Sequence, residues 1–272
     1  MKTRSLLLLS GALAALLALG SCKTVQTTQP GQVGVDRKQS MLLSAGEVNK
    51  SASLAYQQEI KAAAKKNALN NNAAHVARVR AIAQRLIPAT AAFRPDAPKW
   101  AWEVNVITSG DVNAWCMPGG KIAFYTGLID KLKVTDDELA AVMGHEIAHA
   151  LREHGRERAS EQIARDLGVS VLSIALGVDL NRQLTQTVLD VTLSLPNSRT
   201  HETEADRIGV ELAARSGYDP RAAVSLWEKM GKLGGGKPPQ WLSTHPATET
   251  RIRDLQNYSE RVMPLYESAS KR

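Results

Sequence analysis

TDDELAAVMGHEIAHAL, residues 135–151, predicts a helix that carries two histidines on one side. Thr135 followed three residues later by Glu138 is a capping box, in which a hydroxyl and a carboxylate satisfy the first free N–H groups. Leu139, Val142, Met143, Ile147 and Leu151 then recur at helical spacing, and Gly155 supplies a stop. His145 and His149 are four residues apart, so their imidazoles project about one turn apart, the spacing at which two can grip one zinc ion. Glu146 lies beside the open side of such an ion, where it can take a proton from water. A glutamate left unpaired on the buried face of a core helix would be costly, which counts against two merely structural histidines.

Two histidines leave a catalytic zinc site one protein ligand short. The metzincin extension would need glycine three residues after the second histidine and a third histidine three further on, but those positions hold Arg152 and Gly155. His154, five residues after His149, points off the metal face and reads as a solvent-side residue at the helix end. The stretch SRTHETEADRIG, residues 198–209, offers more. Read as a helix, it sets Glu202, Ala205, Asp206 and Gly209 on one face. The two small residues allow another helix to come close. Glu202 can ligate the metal, and Asp206, one turn on, can hold a ligand histidine through its free ring nitrogen. Glu204 competes for the ligand role but points to the opposite side.

These motifs, in their order, resemble the family of zinc metallopeptidases that includes HtpX and the CAAX prenyl proteases, with a layout closest to the periplasmic lipoproteins LoiP and BepA. Four features carry the likeness over about residues 40–260: Asn113-Ala114 with Pro118-Gly119-Gly120, the H-E-x-x-H, Glu202-x-x-Ala205-Asp206, and Thr244-His245-Pro246 with Arg251-Ile252. The resemblance implies one zinc ion per chain, held by His145, His149 and Glu202, with Asp206 supporting the site. It also implies that Asn113 and Ala114 belong to an edge strand that borders the cleft and binds substrate. Cys116 stands where the family commonly carries a small or apolar residue. Its thiol is either a small hydrophobe in a strand or a ligand that silences the metal. His245 has three readings: a donor to the oxyanion of the tetrahedral intermediate, a fourth zinc ligand that gives a latent enzyme, or a cap for a helix starting near Pro246-Ala247.

The N-terminus sets the expected compartment. Lys2 and Arg4 precede an apolar run from Leu6 to Leu19, the length of a signal peptide and too short to span a bilayer comfortably. Leu19-Gly20-Ser21-Cys22 resembles a bacterial lipobox, so residues 1–21 are expected to be removed and Cys22 lipidated. Lys23 after the cysteine implies, by resemblance to Gram-negative lipoproteins, export to the periplasmic side of the outer membrane. With Cys22 lipidated, Cys116 is alone and no intrachain disulfide can form. The chain carries a formal net charge of +7 and stays basic after Lys2 and Arg4 are lost. Its charges are scattered, without an aromatic-basic stripe, which argues against nucleic acid as a partner.

The remaining chain organises around the zinc helix. Residues 22–39, rich in Thr, Gln and Gly, are expected to form a flexible tether, and residues 40–272 the metallopeptidase domain. Met41 to Phe93 is helical in pattern and broken at Asn70-Asn71-Asn72. Residues 100–107, 113–117 and 121–126 read as strands, with Pro118-Gly119-Gly120 as a turn. Val169 to Val178 is apolar and reads as core or as a lid over the cleft, and Gly234-Gly235-Gly236 with Pro238-Pro239 as a mobile loop. The expected fold is α+β: a mainly helical gluzincin-type domain with a small three-stranded sheet beside the active-site helix.

The expected activity is zinc-dependent cleavage of peptide bonds in misfolded or unassembled envelope proteins. Extended chains would pair with the edge strand through backbone hydrogen bonds. The alternative is a chaperone-like assembly factor for outer-membrane proteins with latent protease activity, working beside the outer-membrane assembly machinery.

Overall fold

The computed structural model describes residues 23–165, 180–233, 240–246 and 248–271. Strands β1 (Lys23–Val25) and β2 (Gln39–Met41) form an antiparallel ribbon, followed by helices α1 (Ala45–Lys65) and α2 (Ala73–Ala89). Strands β3 (Glu103–Ile107), β4 (Ala114–Met117) and β5 (Lys121–Tyr125) come next, then α3 (Thr126–Leu132) and the long helix α4 (Asp136–Leu151). The rest is helical: α5 (His154–Arg165), α6 (Leu180–Leu193), α7 (Arg199–Arg215), α8 (Ala222–Lys232), α9 (Gln240–Thr244) and α10 (Glu249–Ala269). The α+β expectation holds, with a small three-stranded sheet against the motif helix.

The sheet has the order β3-β5-β4, with β3 parallel and β4 antiparallel to β5. Strand β4 is therefore an edge. The turn between β4 and β5 needs glycine: Gly119 and Gly120 have φ of +81° and +82°, and a Cβ on Gly120 would lie 2.6 Å from the Trp102 ring. One face of the sheet, with Trp115, Met117 and Ala123, packs against Val48, Ala52 and Tyr56 of α1 and Val188 of α6. Ala114, Cys116, Ile122 and Phe124 join the main core around α4.

Helix α4 begins as its sequence requires. Thr135 accepts from the Glu138 N–H, and the Glu138 carboxylate accepts from the Thr135 N–H. Every residue from Glu138 to Leu151 is buried, because α7, α8, α2 and β4 surround the helix. The expected stop at Gly155 is not where α4 ends. The helix closes at Arg152, Glu153 takes a left-handed φ of 52°, and α5 starts at His154. The break between α1 and α2 falls at the asparagine cluster as expected, with Asn72 capping α2.

Residues 23–39 are not a flexible tether. Lys23–Val25 pairs with Gln39–Met41, and Val33, Val35 and the side chain of Gln39 are buried against the domain. Composition missed this because the segment is fastened by polar contacts more than by apolar ones. Cys22, the apolar run before it, Val169 to Val178, and the Gly234-Gly235-Gly236 and Pro238-Pro239 segments lie outside the described residues. Among the described residues, no helix is long and apolar enough to cross a membrane.

Candidate metal centre

Helices α4 and α7 meet at two glycines. A Cβ on Gly144 would fall 2.7 Å from the Gly209 carbonyl oxygen, and one on Gly209 would fall 2.8 Å from the His145 nitrogen. This contact brings Glu202 and Asp206 to the histidines, as the small residues on that face predicted. The Nε2 atoms of His145 and His149 stand 3.0 Å apart. Glu202 Oε2 lies 3.6 Å from the first and Oε1 3.4 Å from the second. His245 completes the group, and the ligand atoms of all four residues fall within 4.8 Å of one another. All four residues are buried.

The hydrogen bond behind the His145 ring assigns its proton. His145 Nδ1 lies 3.0 Å from Asp206 Oδ1, an acceptor, so Nδ1 carries a proton and Nε2 is the nitrogen turned to the cluster. His245 Nδ1 lies 2.9 Å from the Thr244 hydroxyl, which can donate or accept, and 3.1 Å from the Trp241 carbonyl. Ring nitrogens that converge beside the buried Glu202 carboxylate, which has Arg251 as its ion-pair partner, would be held together by a cation placed between them. The donor set of imidazoles and one carboxylate is the set that suits zinc. The residues present therefore fit one such ion.

Charged neighbours tune the group. Burial would raise the Asp206 carboxyl, but Arg251 on α10, 2.7 and 2.8 Å from its two oxygens, holds it well below the usual carboxylate range. Arg251 also places Nη1 2.7 Å from Glu202 Oε2. Burial works against charge on His145, yet its hydrogen bond to Asp206 and the nearby Glu202 hold its pKa above the ordinary histidine value. Burial pushes His149 and His245 well down, so both are neutral. Glu146, buried on the same side, is pushed up to about 7 by burial, against the pull of His145 and of the Trp241 indole, whose Nε1–H donates to Oε1 at 2.8 Å. Trp241 is itself fixed: its N–H bonds the Val112 carbonyl and its ring stacks on His245.

Several expectations meet a different arrangement. His154 is not at the surface. It is 1 % exposed, with Nδ1 2.9 Å from His149 Nδ1 and Nε2 2.9 Å from Glu204 Oε2. The left-handed Glu153 turns the chain back, so spacing along one straight helix no longer applies. Cys116 lines the cleft beside Glu146, but its Sγ faces the Met117 carbonyl and it is outside the four-residue cluster. Burial raises its thiol pKa, which disfavours the thiolate a metal needs. His245 does not cap the last helix; Thr248 does. Glu204 faces away from the cluster toward Arg37, Arg152 and His154, as its side of the helix implied. Asn113 and Ala114 are buried at the start of β4, while Cys116 and Pro118 from its other end line the cleft opposite Val191, Thr192 and Asn197.

Sequence reasoning left Trp241 and Arg251 without roles. Arg251 stood in a quoted motif, but nothing local shows that a residue on α10 reaches two carboxylates on α7.

The profile of peptidase family M48 matches residues 73–259, which contain every member of the cluster. The chain belongs to peptidase family M48. Among its M48 relatives are the mitochondrial metalloendopeptidase OMA1 of Arabidopsis thaliana, 41 % identical over 168 residues, covering 61 % of this chain and 34 % of that protein, and that of Schizosaccharomyces pombe, 39 % identical over 159 residues, covering 58 % and 46 %. The beta-barrel assembly-enhancing protease of Escherichia coli (strain K12) is 30 % identical over 176 residues, covering 61 % and 36 %. The matched region thus spans between a third and a half of these M48 relatives' length.

Proposed function

We propose that this chain is a zinc-dependent endopeptidase that acts on unfolded or unassembled proteins of a bacterial envelope. The observation that carries the enzymatic reading is the convergence of His145, His149 and Glu202, with Glu146 held beside them by the Trp241 indole. Zinc bound there would polarise the scissile carbonyl and acidify water. Glu146 is the base that takes the proton of the attacking water and returns it to the departing amine. Asp206, clamped by Arg251, keeps the His145 ring in the tautomer that presents Nε2 to the metal. The edge strand β4 would take an extended substrate through its backbone, a mode that suits unfolded chains because it demands little sequence.

The envelope assignment rests on the apolar N-terminal run and the Cys22 lipobox, and the beta-barrel assembly-enhancing protease among the relatives supports it. An assembly role beside proteolysis is a second reading supported by that relative's name. With residues 23–41 packed on the domain, a lipid on Cys22 would hold the catalytic body directly at the membrane surface.

The deciding experiment pairs metal content with casein cleavage in the wild type and in Glu146→Gln. One zinc per chain in both, chelator-sensitive cleavage in the wild type and none in the variant are expected. Cleavage retained by Glu146→Gln would sink the mechanism, and a wild type that binds zinc without cutting would favour the assembly-factor reading.

A further inference from the structure

Behind the metal cluster lies a second buried polar group, built from α5, α7 and the N-terminal segment. His154, Glu157 and His201 could by position hold a cation of their own. A cation is already there. The Arg37 guanidinium reaches Glu157 Oε1 at 2.7 Å and Glu204 Oε1 at 2.6 Å, and Gln39 Nε2 and His201 Nε2 both reach Glu157 Oε2, at 2.6 and 3.1 Å. With its carboxylates engaged in this way, the group reads as a support rather than a second metal site.

What it supports is His149. Asp206 fixes the other ligand histidine directly. Among the described residues, no carboxylate touches His149 Nδ1; its partner is His154 Nδ1 at 2.9 Å. If His149 offers Nε2 to a metal, its Nδ1 must carry the proton and donate. His154 must then accept at Nδ1 and, as a neutral imidazole with one proton, donate from Nε2. Glu204 Oε2 is the acceptor, 2.9 Å away. That carboxylate is held by Arg152, fully buried and 3.0 Å from the same oxygen, and by Arg37. Only one arrangement of protons satisfies every bond in this chain.

We propose that His154, backed by Glu204, is a positioning residue for the metal ligand His149, and that Arg37 locks this support from the N-terminal segment. The proposal rests on His149 being a zinc ligand. It places an imidazole between ligand and carboxylate, where the other histidine has the carboxylate alone.

The test measures the zinc dissociation constant by competition with a chromophoric chelator, and the visible spectrum of the cobalt(II) form, in wild type, His154→Ala and Glu204→Gln. Each metal-free protein is melted as a folding control. Loss of such a support weakens metal binding by about 10–100-fold. His154→Ala is expected to show that loss with a changed cobalt spectrum, and Glu204→Gln the same change to a smaller extent. Glu204→Gln keeps the side-chain shape and carries the test alone if His154→Ala does not fold. Wild-type affinity and spectrum in the folded variants would overturn the proposal while leaving the zinc site intact. A wild type that binds no zinc would instead overturn the reading of His149. Two zinc ions per wild-type chain would also overturn the proposal, because His154 and Glu157 would then be ligands.

Discussion

His145, His149 and Glu146 reach their roles through partners that the H-E-x-x-H motif does not contain. His145 is oriented by Asp206, His149 by His154, and Glu146 by Trp241. His245 has partners of its own. Its Nδ1 lies between the Trp241 carbonyl, an acceptor, and the Thr244 hydroxyl, which can donate, so either ring nitrogen can carry the proton. A donor to an oxyanion needs the proton on Nε2, whereas a metal ligand needs Nε2 bare. Its ligand atom lies within 4.8 Å of those of His145, His149 and Glu202, so His245 could serve as a fourth ligand that closes the site at rest. His245→Ala is expected to raise cleavage of an unstructured fluorogenic peptide severalfold while loosening zinc. Reduced cleavage with unchanged metal affinity would return His245 to the transition state. The motif histidines were legible from spacing alone; Trp241 and His154 were not, because each is aimed by backbone outside its own helix.

At the scale of elements, the site depends on how closely α4 and α7 approach. The helical face of Glu202, Ala205, Asp206 and Gly209 was readable, since four residues at that spacing share a side whatever surrounds them. Its partner, Gly144, was not, because nothing in its sequence says which helix will lie against it. Gly209→Ala puts a methyl 2.8 Å from a backbone nitrogen, where no rotamer change can relieve it. Overpacking of this kind costs about 1–3 kcal/mol, and here it also spreads the ligand-bearing helices. A lower urea midpoint together with weaker zinc binding is the expected outcome, and Gly231→Ala, with nothing within 4 Å of its added carbon, is the control. The stop at Gly155 misled for a related reason. A left-handed Glu153 ends α4 earlier, so His154 belongs to the next helix and is driven into the core.

Over the whole molecule, the N-terminal segment is a structural part of the catalytic body. Burial would raise the Glu157 carboxyl, but Arg37, His201 and Gln39 outweigh it and hold the group well below the ordinary glutamate value of 4.5. A depressed carboxylate pKa contributes stability that is fully present above the unfolded value and is lost as pH falls through the folded one. Arg37→Ala is expected to cost about 2 kcal/mol near neutral pH, the scale of hydrogen bonds to a charged group. Its stability deficit should shrink on acidification below pH 4.5, as the wild type loses the same advantage. A deficit that stays constant as pH falls from 7 through the folded-state pKa of Glu157 would show that Arg37 acts by packing alone. Taken by itself, the sequence determined the α+β class, the motif helix with its capping box, the order of the three strands that precede it, and the shared helical face of Glu202 and Asp206. These follow from periodicity and local hydrogen bonding, which depend on neighbours a few residues apart. Only the tertiary structure decided that residues 23–39 pack against the domain, that His154 stands behind His149, that Arg251 bridges Asp206 and Glu202, and that His245 rather than Cys116 closes the metal cluster. Those outcomes depend on which buried polar groups find partners on other elements, and no local pattern encodes that pairing.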